Sequence, residues 1–144
     1  MAEALFPVTE SPDFSTESQA YDTEYHRTLK WDYEKMDFAL DGKGDIEECD
    51  GTEGFKAWCA KMAYTERYQC LAYPSDIGAE MEKALSRQGE KVVESEIART
   101  ITEAIEVNPR TESVTDFQFD WNGDCVGVSF LVAGIDGSKF TVTV

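Results

Sequence analysis

The spacing of apolar residues divides the chain into stretches of different period. Phe55, Trp58, Cys59, Met62 and Ala63 fall at i, i+3, i+4, i+7 and i+8, which predicts an α-helix with one buried face. Thr52, with Glu53 close behind, is placed to cap its start and to set negative charge at the positive end of the helix dipole. Tyr73-Pro74-Ser75-Asp76-Ile77-Gly78 breaks the period, and a short helical segment is expected over residues 80–85, with a stop at Gly89. A further amphipathic helix is predicted over 92–107, because Val93, Ile97, Ile101, Ala104 and Ile105 recur on one side while Glu94, Glu96, Arg99, Thr102 and Glu103 lie mainly opposite. Pro109 ends it, since proline pushes the residue before it out of the α region.

The chain then changes to period 2. Residues 114–120 alternate, Asn122-Gly123 has the form of a tight hairpin turn, 125–133 is a β-rich run, Asp136-Gly137 turns again, and 139–144 closes as KFTVTV. This predicts a three-stranded antiparallel meander. Upstream, Trp31, Tyr33 and Phe38 supply strand-type bulk between 28 and 40, and Asp41-Gly42-Lys43-Gly44-Asp45 then turns the chain before Ile46-Glu47-Glu48-Cys49, so a hairpin is expected there. Calcium does not fit that acidic turn: counted from Asp41, an EF-hand would have Lys43 at position 3, Ile46 where glycine is needed and Thr52 where the bidentate Glu belongs. Residues 1–27 show neither period and read as an extended acidic arm, either mobile or folding onto a partner. The expected fold class is α+β: two main helices on a C-terminal antiparallel three-stranded meander, with an N-terminal hairpin and arm, and residues 28–144 as one domain.

Charge narrows the function. With 13 Lys plus Arg against 29 Asp plus Glu, the formal net charge is -16. Nucleic acid is therefore not an expected partner, because affinity for a phosphate backbone comes from basic side chains displacing counterions. Cys49, Cys59, Cys70 and Cys125 form no CxxC pair, and His26 has no cysteine near it, so no metal and no cofactor is expected. No signal peptide and no membrane span is expected, since apolar residues never run long enough together.

Thr65-Glu66-Arg67-Tyr68, the turn containing Asp76 and Gly78, and the triplet Asn108-Pro109-Arg110 after the long helix occur in that order, followed by the meander. Over residues 28–144 this resembles the baseplate wedge and sheath-initiator subunit of contractile phage tails and phage tail-like bacteriocins, in its Gram-positive form. That family has a Gly-Glu-Arg-like stretch, a Pro-x-Phe-Gly turn and a Glu-Pro-Arg triplet. Here Asn108 stands in place of the acid, which removes any ion pair made through it but leaves the proline and arginine in place.

The resemblance implies a structural part of a contractile injection particle, assembled in the bacterial cytoplasm and retained in the tail baseplate. Its implied partners are other wedge proteins, tail sheath subunits, and tube or hub proteins. The implied role is to template the first sheath ring by strand addition, with Lys139, Phe140, Thr141, Val142, Thr143 and Val144 as the contact strand. From the residues alone, 140–144 is equally an ordinary last strand. Arg110 is either a surface arginine at a helix C-terminus or a planar fork that organises neighbouring segments. Removing 139–144 is expected to leave a soluble domain without sheath-forming ability.

The rival readings are a cell-wall muramidase, with Glu66 between Tyr64 and Tyr68 as the acid, and a generic adaptor. Glycoside hydrolysis needs two carboxylates at a set separation across a cleft, and the sequence singles out no such pair. No catalytic residue is assigned.

Overall fold

The computed structural model describes residues 27–35 and 37–144; His26 and the arm up to residue 26 lie outside them. Two nested hairpins come first. Strand β1 (Thr28–Leu29) pairs antiparallel with β4 (Glu48–Cys49), and inside them β2 (Trp31–Asp32) pairs with β3 (Asp37–Phe38). The sequence indicated only the turn between β3 and β4, closed by the Leu40–Ile46 bridge. There the Asp41 carboxylate accepts the amides of Lys43 at 2.8 Å and Asp45 at 3.0 Å, and Gly44 takes φ 91. These bonds hold Asp41 below the usual carboxylate range. The acidic turn thus satisfies itself through its own backbone.

Helix α1 (Gly51–Tyr64) buries Phe55, Cys59, Met62 and Ala63, as its spacing predicts. Its start differs from expectation: Asp50 is the N-cap residue, with no side-chain capping bond, so Thr52 is already inside the helix. Helix α2 (Met81–Leu85) is short, and α3 (Glu90–Glu106) begins two residues before the predicted start. Arg99 pairs with Glu96 at 2.8 Å and Glu103 at 2.7 Å along its outer face. These partners raise the Arg99 pKa, Glu96 contributing most.

The meander consists of β5 (Thr111–Asn122), β6 (Cys125–Gly134) and β7 (Lys139–Thr143), in the order β5-β6-β7 with antiparallel pairing. Helix α3 packs on β5 and α1 on β7, so both helices lie against the sheet. Between them Ile97, Ile101 and Ile105 meet Val128, Phe130, Val132 and Val142 in one core. Full burial of such a side chain contributes about 1.5–3 kcal/mol. Burial also pushes the Cys59 thiol up to about 12, leaving it a neutral apolar filler. The α+β class and the C-terminal three-stranded sheet are as expected.

Candidate functional site

Thr65, Glu66 and Arg67 follow directly on α1 and close a loop against Gly78 and Ala79. Glu66 and Ala79 form a parallel bridge, with the Arg67 amide donating to the Ala79 carbonyl at 3.0 Å and the Ala79 amide to the Thr65 carbonyl at 2.9 Å. Arg67 Nε donates to the Gly78 carbonyl at 2.8 Å, and its Nη1 lies 3.9 Å from Glu103 on α3. Gly78 has φ 93, and a Cβ there would stand 2.5 Å from the Thr65 carbonyl oxygen. Only glycine fits that crossing.

Glu66 completes the clamp. One of its carboxylate oxygens accepts the amides of Met81 at 3.0 Å and Glu82 at 3.2 Å. These are N-terminal amides of α2, a helix whose own N-cap residue, Glu80, makes no side-chain capping bond. Instead the Glu80 amide donates to Thr100 Oγ1 of α3 at 2.7 Å. Thr100 is fully buried. Sequence reading missed it, although a threonine three residues after Ile97 on the apolar face of the helix is a usable signal. An open groove of about 450 Å³ beside the clamp is lined by Glu66, Glu80 and Glu82 together with Arg67, Lys83 and Tyr68. Glu66 is committed to backbone amides there, and Glu80 lies 3.4 Å from Lys83.

Beyond the clamp the chain turns outward. Tyr68 adopts φ 70, which costs a residue with a Cβ roughly 1–2 kcal/mol. Residues 68–76, Asp76 among them, are all exposed.

The triplet Asn108-Pro109-Arg110 sits at the other junction. The Asn108 side-chain oxygen accepts the Arg110 amide at 3.0 Å, a local turn that the acid of the family pattern is replaced by here. The Arg110 carbonyl accepts the Ile135 amide at 2.9 Å, tying the start of β5 to the β6–β7 turn. Its side chain lines a pocket of about 270 Å³ with Arg27, Phe55, Trp58 and Asn108. The tie to the β6–β7 turn is made by the Arg110 main chain, not by its guanidinium fork.

The last strand has two faces and one rim. Phe140 and Val142 point into the core, Phe140 meeting Phe55 edge-on at 5.5 Å, and Val142 is 1% exposed. Removing 139–144 therefore takes out core side chains, contrary to the expectation of an intact domain. Val128 and Val144 exchange backbone bonds of 2.8 and 2.9 Å, and they are opposed across the ladder. Antiparallel alternation then places Phe140 and Val142 in bonded pairs with β6, and turns the N–H and C=O of Lys139, Thr141 and Thr143 to the outer edge. Among the described residues no strand pairs with that edge. The opposite edge, on β5, differs: its ladder is interrupted at Thr111/Ser113 and Thr115/Gln118, Asp116 has φ 54, and Glu112, Asp116 and Asp120 are exposed. Bulges and charges are how proteins block edge pairing.

Among the described residues no helix is long and apolar enough to cross a membrane. Residues 27–137 match the family described as contractile injection system sheath initiator. The chain is also similar to the phage-like element PBSX protein XkdS of Bacillus subtilis (strain 168), with 31% identity over 137 residues, 94% of this chain and 92% of the relative. A matched span from the first hairpin into the β6–β7 turn contains both the clamp and the triplet, and the chain belongs to the contractile injection system sheath initiators, structural components of phage tails.

Proposed function

We propose that this chain links the baseplate wedge proteins to the first sheath ring and templates that ring by offering the outer edge of β7 to a strand of a sheath subunit. The supporting observation is the rim of β7, where the main-chain groups of Lys139, Thr141 and Thr143 face outward without a strand partner among the described residues. An incoming strand satisfies those groups and gains affinity from main-chain hydrogen bonds. The bulged, acidic β5 edge disfavours the same event on the other side.

In this reading residues 28–144 act as one unit, and the arm at 1–27 and the tube or hub proteins make further contacts within the particle. The motif residues Thr65, Glu66, Arg67, Tyr68, Asp76 and Gly78, together with Asn108, Pro109 and Arg110, shape the surfaces that meet the wedge proteins. The chain assembles in the bacterial cytoplasm and stays in the tail baseplate, as a scaffold and not as an enzyme. The capping role of Glu66 supports this, since that carboxylate already serves the fold.

Thr141→Pro tests the edge. Proline removes one outward N–H, and it is tolerated on an edge strand when that N–H does not face the neighbouring strand. The variant is expected to fold with α/β circular dichroism like the parent, and to enter baseplates, but to leave tail tubes bare of sheath in negative-stain micrographs. Sheath of normal length on Thr141→Pro baseplates would overturn the reading.

A further inference from the structure

Residues 68–76 present apolar side chains that the other described residues leave exposed. Leu71 is 103% exposed, Tyr68 65% and Tyr73 56%. Apolar groups on a floppy loop are unremarkable, but this loop is braced. Its ends are locked by the Glu66–Ala79 bridge and the Arg67–Gly78 bond, and its tip is folded by bonds from the Tyr73 amide to the Cys70 carbonyl and from the Ile77 amide to the Pro74 carbonyl, both 3.2 Å. Tyr68 is held in a left-handed conformation that an aromatic residue adopts at a cost. A segment so preorganised loses little further freedom on binding, which raises affinity for a matching surface.

We propose that the loop 68–76 is a preformed plug, led by Leu71 and flanked by Tyr68 and Tyr73, that seats in an apolar socket with a basic rim on another protein of the particle. The rim follows from charge. Asp76 and Glu82 are exposed acids in and beside the loop. The groove at its base is lined by the acids Glu66, Glu80 and Glu82 against the cations Arg67 and Lys83 and so stays net acidic, and the whole chain carries -16. Acidic flanks are repelled by an anionic bilayer and by a second copy of this chain, and are attracted to Lys and Arg on a different protein. The proposal rests on the sheath-initiator reading only for the location of the partner. It uses a surface distinct from β7.

Thiol chemistry gives the test. Cys70 lies in the plug, Cys125 is exposed at the β5–β6 turn, and Cys49 and Cys59 are buried. In the free chain a maleimide is expected to label Cys70 and Cys125. In assembled particles Cys70 labelling is expected to slow at least tenfold. Leu71→Asp, and Leu71→Ala beside it, change a side chain outside the core, so both are expected to melt like the parent, while Leu71→Asp enters particles at a tenth of the parental level or less. Unchanged Cys70 labelling in particles, or parental incorporation of Leu71→Asp, would overturn the plug. So would Leu71-dependent binding to phosphatidylcholine–phosphatidylglycerol vesicles, or a Leu71-dependent dimer of the free chain. The two readings separate cleanly, because failure of the edge shows as sheath on Thr141→Pro particles whatever Leu71→Asp does.

Discussion

The rim of β7 and the loop 68–76 both face outward, yet they are built in opposite ways. At β7 the outward groups are main chain, while Phe140 and Val142 of the same strand belong to the core against α1. In the loop the outward groups are side chains, and hydrogen bonds at its base, from Arg67 and the Glu66–Ala79 bridge, hold it in place. A backbone surface is indifferent to the identity of Lys139, Thr141 and Thr143 but cannot be moved without unfolding the sheet. A side-chain surface depends on which residues it carries, and it can be erased without disturbing the core.

The sharpest test of that contrast is Val142→Asp. Val142 is 1% exposed among Phe130, Val128 and Ile101, and an unpaired carboxylate buried there falls among the changes that destabilise by more than about 4 kcal/mol. Domain stabilities are about 5–15 kcal/mol in total, so the variant is expected to lose its cooperative thermal transition. A melt within a few degrees of the parent would mean that β7 is held by its ladder alone, and the contrast with the loop would disappear.

Gly78→Ala comes next, because it strikes the base of the loop and leaves the core alone. The left-handed φ and the carbonyl oxygen 2.5 Å from the new Cβ together predict a loss of more than about 1 kcal/mol, with faster hydrogen exchange of the Arg67 and Ala79 amides. Parental stability with unchanged exchange would show the clamp to be soft, and the loop no better ordered than its exposure suggests.

Much of this division was legible in the sequence. The 3.6-residue spacing from Phe55 to Ala63 and from Val93 to Ile105 located the helical core faces because burial enforces that period, whereas 139–144 was legible as a strand but not as one whose Phe140 and Val142 belong to the core. The family pattern singled out Glu66, Arg67 and Gly78 without saying what they do. Their roles were hidden because each partner is distant in sequence: Gly78 meets Thr65, and the Glu66 carboxylate reaches Met81 and Glu82. The inner hairpin was missed because Trp31–Asp32 and Asp37–Phe38 are strands of two residues, too short for any period to register. The difference between the two sheet edges rests on bulges in β5 and on the phase of the β7 ladder, and neither is encoded in local composition.

Glu66→Ala has the smallest expected effect and separates two ways of holding the loop. If the carboxylate caps α2 as its bonds to Met81 and Glu82 indicate, alanine leaves two amides without that acceptor. The loss is then about 1 kcal/mol, as for other caps. Glu66→Gln retains an oxygen that accepts the same amides and gives up only the charge at the N-terminus of a five-residue helix, so it should recover most of that loss in a urea titration. Equal destabilisation by both variants would assign the effect to charge, through Arg67 and Lys83 nearby, and not to capping. No destabilisation by either would leave the loop base to the Glu66–Ala79 backbone bridge, the Arg67–Gly78 bond and the Gly78 crossing, with α2 held by no cap from the loop.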